Sequence, residues 1–323
     1  MEETVAIATR ITIQIITAMT GVILHSVPSG RGDATRGLAG EMRIPAGCHT
    51  SCYKIRMSEH VIPFQPNRFE GAAPHYLQGR PPYAPLLFRR VAELIGLGSR
   101  HRVLDLGCGP GQLASGFAYF AGSVLAMDPE PEMLAIGAAR VEGVLTNVTF
   151  LQGSSYDLGP EIGEQFGPFH LAAIGRAFHW MDRADTLFRL NTLIAPDGAV
   201  ALFTDVHPDV PDNAWMKEFR AIRRRCTDEN RADRQPDWPT HETILLASPF
   251  CQLERVGVVE RRRIPKAQIV DRALSMSSCS RSRLGARVEQ LTAEIAALAE
   301  SAAKEGWIDE VVESVALVAV RQH

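Results

Sequence analysis

The stretch of sequence that decides the fold is RVLDLGCGPGQL, which runs from Arg102 to Leu113. Its first half contains the apolar residues Val103, Leu104 and Leu106 and predicts a short buried strand. Three glycines follow at alternate positions, and backbone without Cβ atoms can turn tightly and let a ligand approach closely. In open α/β sheets ligands bind beyond the carboxyl ends of the strands, so this turn predicts a site for a nucleotide-type ligand.

The spacing of the glycines differs from that of dinucleotide-binding turns. The dinucleotide fingerprint is G-x-G-x-x-G, whereas here the glycines are Gly107, Gly109 and Gly111, and the next residue is Gln112. The chain also lacks a recognisable Tyr-x-x-x-Lys pair. These features disfavour a nicotinamide oxidoreductase, which is kept as an alternative.

A second predicted strand, over residues 123–127, ends in Asp128 and is followed by Pro129. An acidic residue at about this distance beyond a glycine turn is the expected partner of the ribose hydroxyls in a βαβ nucleotide fold. The glycine turn and Asp128 together are therefore more specific than either one alone.

These residues resemble the class I S-adenosylmethionine-dependent methyltransferases, whose first motif is similar to DLGCGPG at residues 105–111 and whose second motif has its acidic residue at Asp128. The resemblance implies S-adenosylmethionine as cofactor and S-adenosylhomocysteine as product. The cofactor contacts that it implies in these two motifs are Asp105, Gly107, Cys108, Gly109, Gly111, Asp128 and Pro129.

Two further segments extend the resemblance. TFLQGSS at residues 149–155 is similar to the third strand and the adenine-side loop, which implies contacts from Ser154 and Ser155, although many members have aspartate in place of Ser154. YLQGRPPY at residues 76–83 resembles a segment that covers the cofactor through Tyr76 and Arg80. A guanidinium matches the carboxylate of the methionine moiety; the alternative is an exposed, proline-rich connector.

The fourth predicted strand, over residues 170–175, is followed by RAFHWMD at residues 176–182. A Phe-His-Trp element here resembles the small-molecule branch that includes trans-aconitate and ubiquinone-biosynthesis methyltransferases. DNA and protein amide N-methyltransferases have an Asn/Asp-Pro-Pro-Tyr/Phe element instead. The resemblance implies a small-molecule acceptor, with Arg176 near the cofactor.

His179 is the candidate catalytic residue, because it follows the fourth strand and imidazole titrates near neutral pH. It would act as a general base or orient the acceptor; the alternative is a neutral packing residue. Phe178, His179 and Trp180 are the candidate acceptor contacts. Phe178 and Trp180 could equally pack in the core, and Trp180 is the stronger candidate because an aromatic face suits cationic sulfur.

Composition excludes several classes of partner. The net charge of the 323-residue chain is −3, which provides no general attraction to nucleic acid. The six cysteines are scattered, which indicates reduced thiols, a cytoplasmic location and no metal site, since Cys48 and Cys52 have no second pair at a suitable spacing. Residues 11–27 are too short and polar for a membrane span.

The alternation of strands and helices predicts an α/β, Rossmann-like, doubly wound sheet that is mostly parallel. The resemblance implies seven strands, with an antiparallel pair at the C-terminal end. Strands are expected over 199–203, 253–264 and 311–320 in addition to the four above. Helices are expected over 83–95, 111–120, 131–141, 183–193, 213–228 and 287–304. Residues 57–323 would form the methyltransferase domain, and the resemblance implies that the insertions at 205–240 and 265–286 form a lid that contacts substrate.

Residues 1–56 differ from the rest, with a segment rich in Gly and Arg and no periodic apolar face, which predicts a disordered or dispensable extension. A membrane-surface or targeting element is the alternative.

Arginines cluster at residues 220–234 and 261–263, and are interpreted mainly as a solvated face of which one or two could reach an anionic acceptor. His207 and His241 are interpreted as surface residues. The predicted activity is methyl transfer to oxygen, or to nitrogen or carbon, of a small molecule; a non-catalytic module that binds S-adenosylmethionine is the alternative from another class.

Overall fold

Seven strands form one mixed sheet in the computed structural model, which describes residue 69 and residues 71–227 and 238–322. The strands are β1 (Arg102–Leu106), β2 (Ser123–Asp128), β3 (Val148–Gln152), β4 (Phe169–Gly175), β5 (Ile194–Val206), β6 (Gln252–Pro265) and β7 (Trp307–Val320).

Eleven α-helices lie within the same described residues. They are α1 (Ala73–Gly79), α2 (Pro85–Leu94), α3 (Gln112–Phe117), α4 (Pro131–Val141), α5 (Pro160–Phe166), α6 (Arg183–Leu193), α7 (Trp215–Cys226), α8 (His241–Leu246), α9 (Gln268–Leu274), α10 (Arg281–Leu284) and α11 (Arg287–Ala302).

The order of the strands across the sheet is β3-β2-β1-β4-β5-β7-β6. β1 pairs in parallel with both β2 and β4, and β2–β3 and β4–β5 are also parallel. The chain order reverses between β1 and β4, and ligands of open α/β sheets bind at such a switch point, outside the carboxyl ends of the strands. The glycine turn follows β1 and His179 follows β4, so the topology brings both to this switch point.

The C-terminal half of the sheet is antiparallel. β7 pairs with β5 over Ala199–Val320 to Val206–Glu313 and with β6 over fourteen residues. β7 lies between two strands and is mostly buried, whereas β6 is an edge strand on which nearly all residues are half-buried or exposed. This confirms the predicted sheet of seven strands with an antiparallel pair at the C-terminal end.

A second hydrophobic core lies outside the sheet. The buried residues of α7 recur at helical spacing, as Trp215, Phe219, Ile222 and Cys226, and they pack with buried residues of α9, α10 and α11. The two segments expected as insertions, 205–240 and 265–286, therefore share a core in their described parts. Their role as a lid over substrate stays a prediction.

The predicted helices over 131–141 and 183–193 have the observed bounds of α4 and α6. The other predicted helices are present with shorter ends; for 213–228 the helix begins at Trp215, after a single 3-10 turn at Pro211–Asn213. The helices that the sequence did not predict, α1, α5, α8, α9 and α10, have four to seven residues. Helices this short show too few turns for a periodic apolar pattern to be recognised.

No helix among residues 71–227 and 238–322 has both the length and the apolar character needed to cross a membrane. The predicted extension, residues 1–56, lies outside the described residues, as do Cys48 and Cys52.

The second core should contribute strongly to stability. Phe219 is 1% exposed at its centre, so we expect Phe219→Ala to lower the free energy of unfolding by about 3–5 kcal/mol, because the substitution leaves a cavity. Phe188 on α6 is 55% exposed, and Phe188→Ala should change the free energy by less than about 1 kcal/mol. Urea unfolding checks both, and equal effects in the two variants would contradict the assignment of this core.

Candidate functional site

The glycine turn after β1 is folded against the end of β2. The backbone N–H groups of Gly107 and Cys108 both donate to the carbonyl oxygen of Met127, at 2.8 and 3.0 Å. The N–H of Gly109 donates to Oδ2 of Asp128 at 2.7 Å. The turn and the acidic residue, which the sequence predicted to act together, therefore lie side by side.

Asp128 is 7% exposed at the carboxyl end of β2. Its second oxygen, Oδ1, accepts the N–H of Glu130 at 2.9 Å. Each carboxylate oxygen thus accepts one backbone hydrogen bond and keeps the capacity to accept another, from a ribose hydroxyl. Burial raises the pKa of Asp128 to about 6, although the bonds from Glu130 and Gly109 act in the opposite direction.

Asp105 lies in β1 below the turn and is 1% exposed. Its Oδ2 accepts the N–H of Ala114, in the first turn of α3, at 2.8 Å. Its Oδ1 is buried with no hydrogen-bond partner among the described residues. Burial raises the pKa of Asp105 to about 7, and burial also raises the pKa of the Cys108 thiol. The visible role of Asp105 is to hold α3 under the turn; its contact with cofactor stays a prediction.

Of the three turn glycines, Gly109 is the one that faces open space. A Cβ at Gly107 or Gly111 would lie only 2.7 or 2.9 Å from the nearest side chain, so these two glycines are packed against protein. A Cβ at Gly109 would meet nothing closer than the Tyr76 ring at 3.9 Å, and its φ of +53° favours glycine. A ligand can therefore approach the backbone at Gly109, under the ring of Tyr76.

Arg80 follows α1 and lies with its guanidinium 5.5 Å from the centroid of the Tyr76 ring. Its Nη2 donates to the carbonyl oxygen of Ser275 at 3.2 Å, while its Nε is buried with no hydrogen-bond acceptor among the described residues. Burial lowers the pKa of Arg80, with neighbouring arginines contributing in the same direction. Arg80 is thus part of a packed structure rather than an exposed connector, and it retains donor capacity for an anion.

The carboxylate of Asp157, which the sequence analysis did not single out, holds the loop after β3 through hydrogen bonds. Oδ2 of Asp157 accepts the N–H and the hydroxyl of Ser154, at 2.7 and 2.8 Å, while Ser155 is buried. On the facing side, the carbonyl oxygen of Pro129 accepts Nε2 of Gln152 at 3.2 Å. The spacing S-x-x-D is typical of a capping box and could have revealed Asp157.

Arg176, at the end of β4, has a positive φ of +54°, which is unusual for a residue other than glycine. Its guanidinium pairs with Asp205 and donates to Oε1 of Gln112 at 3.1 Å and to the carbonyl oxygen of Pro81 at 2.7 Å. It also stacks 4.3 Å from the Tyr83 ring centroid. These contacts are all with protein groups, so the geometry gives its side chain a structural role, and the predicted cofactor contact stays untested.

His179 lies in a single 3-10 turn, Phe178–Trp180, directly beyond β4. Its ring is 4.3 Å from that of Trp180, which in turn meets Phe69 edge-on at 6.2 Å. Phe178 is 2% exposed and packs against His241 at 5.2 Å. Phe178 is therefore packed in the core, whereas His179 and Trp180 are half-buried beside the switch point. The acceptor contacts predicted for these three residues stay predictions.

Comparisons with known proteins agree with this geometry. Residues 103–198 match the family model of a methyltransferase domain, and this range contains the glycine turn, Asp128 and His179. The chain is 27% identical over 239 residues to an uncharacterised methyltransferase of Mycobacterium tuberculosis, a match that covers 72% of this chain and 88% of the relative.

Two other relatives are more distant in coverage or identity. Trans-aconitate 2-methyltransferase of M. tuberculosis is 28% identical over 165 residues, which are 50% of this chain and 57% of that enzyme. A solved structure assigned to the type II methyltransferases, from Anaeromyxobacter dehalogenans, has a TM-score of 0.54 and 23% identity and covers 75% of this chain and 97% of that chain; it shows the same fold.

Together these matches support a class I S-adenosylmethionine-dependent methyltransferase. The matched domain ends within β5, so α7 to α11 and the strands β6 and β7 lie outside it.

Two histidines, His207 and His241, are more buried than the sequence predicted. The prediction that His207 is a surface residue is wrong: its side chain is 8% exposed and lies 3.4 Å from Oε2 of Glu310. His241 is half-buried against Phe178, and burial lowers its pKa. Both histidines were assigned to the surface because loop-forming residues stand next to them, and local composition does not reveal that distant elements cover them.

The arginine clusters behave mostly as predicted for a solvated face. Arg225 pairs with Glu218 and Glu294 on exposed helix surface, and Arg220 and Arg224 are exposed. Arg223 differs, because it is half-buried and its Nη2 donates to Oγ of Ser278 at 3.3 Å. Arg231 and Arg234 lie outside the described residues.

Across residues 71–227 and 238–322, no three His, Cys, Asp or Glu side chains are grouped so that they could hold a metal ion. The cysteines of this part of the methyltransferase, Cys108, Cys226, Cys251 and Cys279, are all free thiols.

The raised pKa of Asp128 predicts a pH dependence of ligand binding. Only the ionised carboxylate accepts from two backbone N–H groups and two hydroxyls at once, so affinity should fall as pH drops through about 6. We expect S-adenosylhomocysteine to bind about fivefold more weakly at pH 5 than at pH 6, measured by calorimetric titration. Asp128→Asn should bind weakly throughout and lose most of this dependence; an unchanged pH profile in that variant would contradict the assignment.

Proposed function

We propose that this methyltransferase transfers the methyl group of S-adenosylmethionine to an oxygen atom of a small-molecule acceptor, with nitrogen or carbon as the other possible acceptor atoms. The observation that carries the proposal is the carboxylate of Asp128, bonded to the N–H of Gly109 where the turn faces open space. A ribose hydroxyl pair matches the remaining acceptor capacity of that carboxylate.

The residues around this point fit the rest of the cofactor. Asp128 would hold the ribose, Ser154 and Ser155 would contact the adenine, and residues of α1 and the segment after it would contact the methionine moiety. There Tyr76 covers the turn, and the guanidinium of Arg80 has an Nε without an acceptor among the described residues. A bidentate guanidinium–carboxylate pair suits the methionine moiety.

When bound, S-adenosylmethionine supplies an electrophilic methyl group on a positively charged sulfur. The chain's own task is to hold the acceptor in line with that methyl group and to exclude water. His179, beside the end of β4, would take the proton of a hydroxyl acceptor as a general base or orient the acceptor. The half-buried ring of Trp180 would form one wall, since an aromatic face suits a cationic centre.

Two observations support a small-molecule acceptor. The Phe178-His179-Trp180 element is similar to that of the small-molecule branch, and one curated relative is named for methylation of trans-aconitate, although the match covers only 50% of this chain. The net charge of −3 also argues against a nucleic-acid substrate. A cytoplasmic location, expected from the cysteine pattern, is part of the same proposal.

Calorimetric titration of the purified chain with S-adenosylmethionine, S-adenosylhomocysteine and NAD tests the cofactor. We expect affinities in the range of about 1–100 µM for the two sulfur nucleotides and no binding of NAD. Binding of NAD without binding of S-adenosylhomocysteine would overturn the proposal and revive the oxidoreductase alternative. Binding without turnover on any acceptor would leave the non-catalytic module.

His179→Ala separates catalysis from binding. If His179 is a general base, we expect turnover to fall by about a hundredfold while affinity for S-adenosylmethionine changes less than about twofold. Release of S-adenosylhomocysteine, with an acceptor found among small hydroxyl and carboxyl compounds, provides the assay. His101→Gln, at the amino end of β1, is the matched control. Turnover close to that of the unmodified enzyme would assign His179 to packing.

A further inference from the structure

The backbone on either side of Arg80 is held by two buried arginines. Nε of Arg272, on α9, donates to the carbonyl oxygen of Gly79 at 3.2 Å, and Nη2 of Arg176 donates to the carbonyl oxygen of Pro81 at 2.7 Å. Arg80 is the single residue between these two carbonyl groups. We call these two arginines, with their carboxylate partners, the arginine clasp.

Each arginine of the clasp is fixed by its own carboxylate. Arg272 makes a bidentate pair with Glu310, at 2.6 and 3.2 Å, and Glu310 is 1% exposed. Arg176 pairs with Asp205. The planar, two-point pair of Arg272 with Glu310 defines the direction of that guanidinium as well as its position.

Neighbouring groups keep the carboxylates of Glu310 and Asp205 ionised. Burial by itself would raise the pKa of Glu310, but hydrogen bonds from His207 and Arg272 outweigh it and lower that pKa to about 2. The pKa of Asp205 is also lowered, because the Arg176 guanidinium outweighs the effect of burial. Both carboxylates are therefore ionised throughout the physiological range.

The two pairs are connected to one another through the sheet. Asp205 lies in β5 and Glu310 in β7, which are neighbouring antiparallel strands. The imidazole of His207 lies between them, with Nε2 3.4 Å from Oε2 of Glu310 and Nδ1 4.0 Å from Oδ2 of Asp205. The clasp therefore connects two neighbouring strands of the sheet to the backbone at the end of α1.

Helix α1 is also seated closely on α9. A Cβ at Gly79 would lie 2.3 Å from the backbone oxygen of Asp271, so only glycine fits at this contact. One turn earlier, Nδ1 of His75 lies 2.7 Å from Oδ1 of Asp271. The close contact at Gly79 therefore determines where the C-terminal end of α1 packs on α9. Arg272 of the clasp holds the carbonyl group of Gly79 in that position.

We propose that Arg272, held by Glu310, is a positioning residue for cofactor binding: it fixes the backbone at Gly79 so that the guanidinium of Arg80 faces the carboxylate of the methionine moiety. This inference rests on the function proposed above for Arg80. A long arginine side chain gains from a two-point contact only if its backbone is fixed beforehand, since ordering it on binding costs free energy. Arg272 touches no reacting group and acts through Arg80.

The test compares two ligands that differ in the part Arg80 would contact. S-adenosylhomocysteine carries the amino-acid carboxylate, whereas 5′-deoxy-5′-methylthioadenosine has the same adenosine and thioether without it. We expect Arg272→Lys, which keeps the charge beside Glu310 but loses the fork geometry, to weaken S-adenosylhomocysteine about tenfold and methylthioadenosine less than about twofold. Arg80→Gln should show the same split, and the double variant should lose no more than Arg80→Gln alone.

Gly79→Ala tests the same inference without altering the buried ion pair, in case Arg272→Lys does not fold. The added methyl group would push α1 away from α9, and it should reproduce the selective loss of S-adenosylhomocysteine affinity. Gly98→Ala is the matched control, because a Cβ there meets nothing within 4 Å; its affinities for both ligands should be unchanged. Thermal unfolding confirms that each variant is folded.

The outcomes separate the inference from the function on which it rests. If the unmodified chain binds neither ligand, the proposed function fails. If Arg80→Gln weakens both ligands equally, the role of Arg80 fails. If Arg80→Gln shows the split but Arg272→Lys and Gly79→Ala show either no loss or equal loss for both ligands, Arg272 is a structural residue only and the inference is overturned.

Discussion

The site depends on one hydrogen bond, from the N–H of Gly109 to the carboxylate of Asp128, because this bond joins the ends of β1 and β2 where the sheet topology reverses. It orients the turn so that Gly109, and not its neighbouring glycines, faces open space. The bond also satisfies part of a carboxylate whose burial raises its pKa to about 6. In the protein alone, each carboxylate oxygen of Asp128 accepts one hydrogen bond. A ligand that donates two further hydrogen bonds would use the remaining acceptor capacity of this carboxylate.

Around this point the carboxyl edge of the sheet is built from buried charges rather than from apolar contacts. Arg176 with Asp205 and Arg272 with Glu310 stand at the ends of β4, β5 and the beginning of β7. Buried ion pairs of this kind add little to stability compared with apolar residues of the same size, and their benefit lies in defining one arrangement. Here that arrangement fixes the segment around Arg80, the part of the proposed site that the sheet itself does not supply.

Apolar runs and helical periodicity predicted six of the seven strands and the longer helices, because these elements contain enough apolar residues for the pattern to be recognised. The strand β3 was expected only from the resemblance to the family. Helices such as α1 and α9 were missed, since four to seven residues contain barely two turns. In the site, the glycine turn and Asp128 were predicted from residue type and spacing. Asp157 and the covering of His207 were not predicted, the first because a capping-box signal was overlooked and the second because the covering residues are distant in sequence.

By itself the sequence determined the class of fold, the position of the glycine turn and the acidic residue beside it, because these follow from local backbone requirements and from strand order. Tertiary structure alone decided which side chains surround them. In the folded chain Phe178 lies in the core and Arg176 pairs with Asp205. Arg272, almost two hundred residues away in sequence, contacts the carbonyl group of Gly79. The physical reason is that a charged side chain takes its role from the partner that burial imposes on it, and that partner is set by the packing of α9 and β7, not by neighbours along the chain.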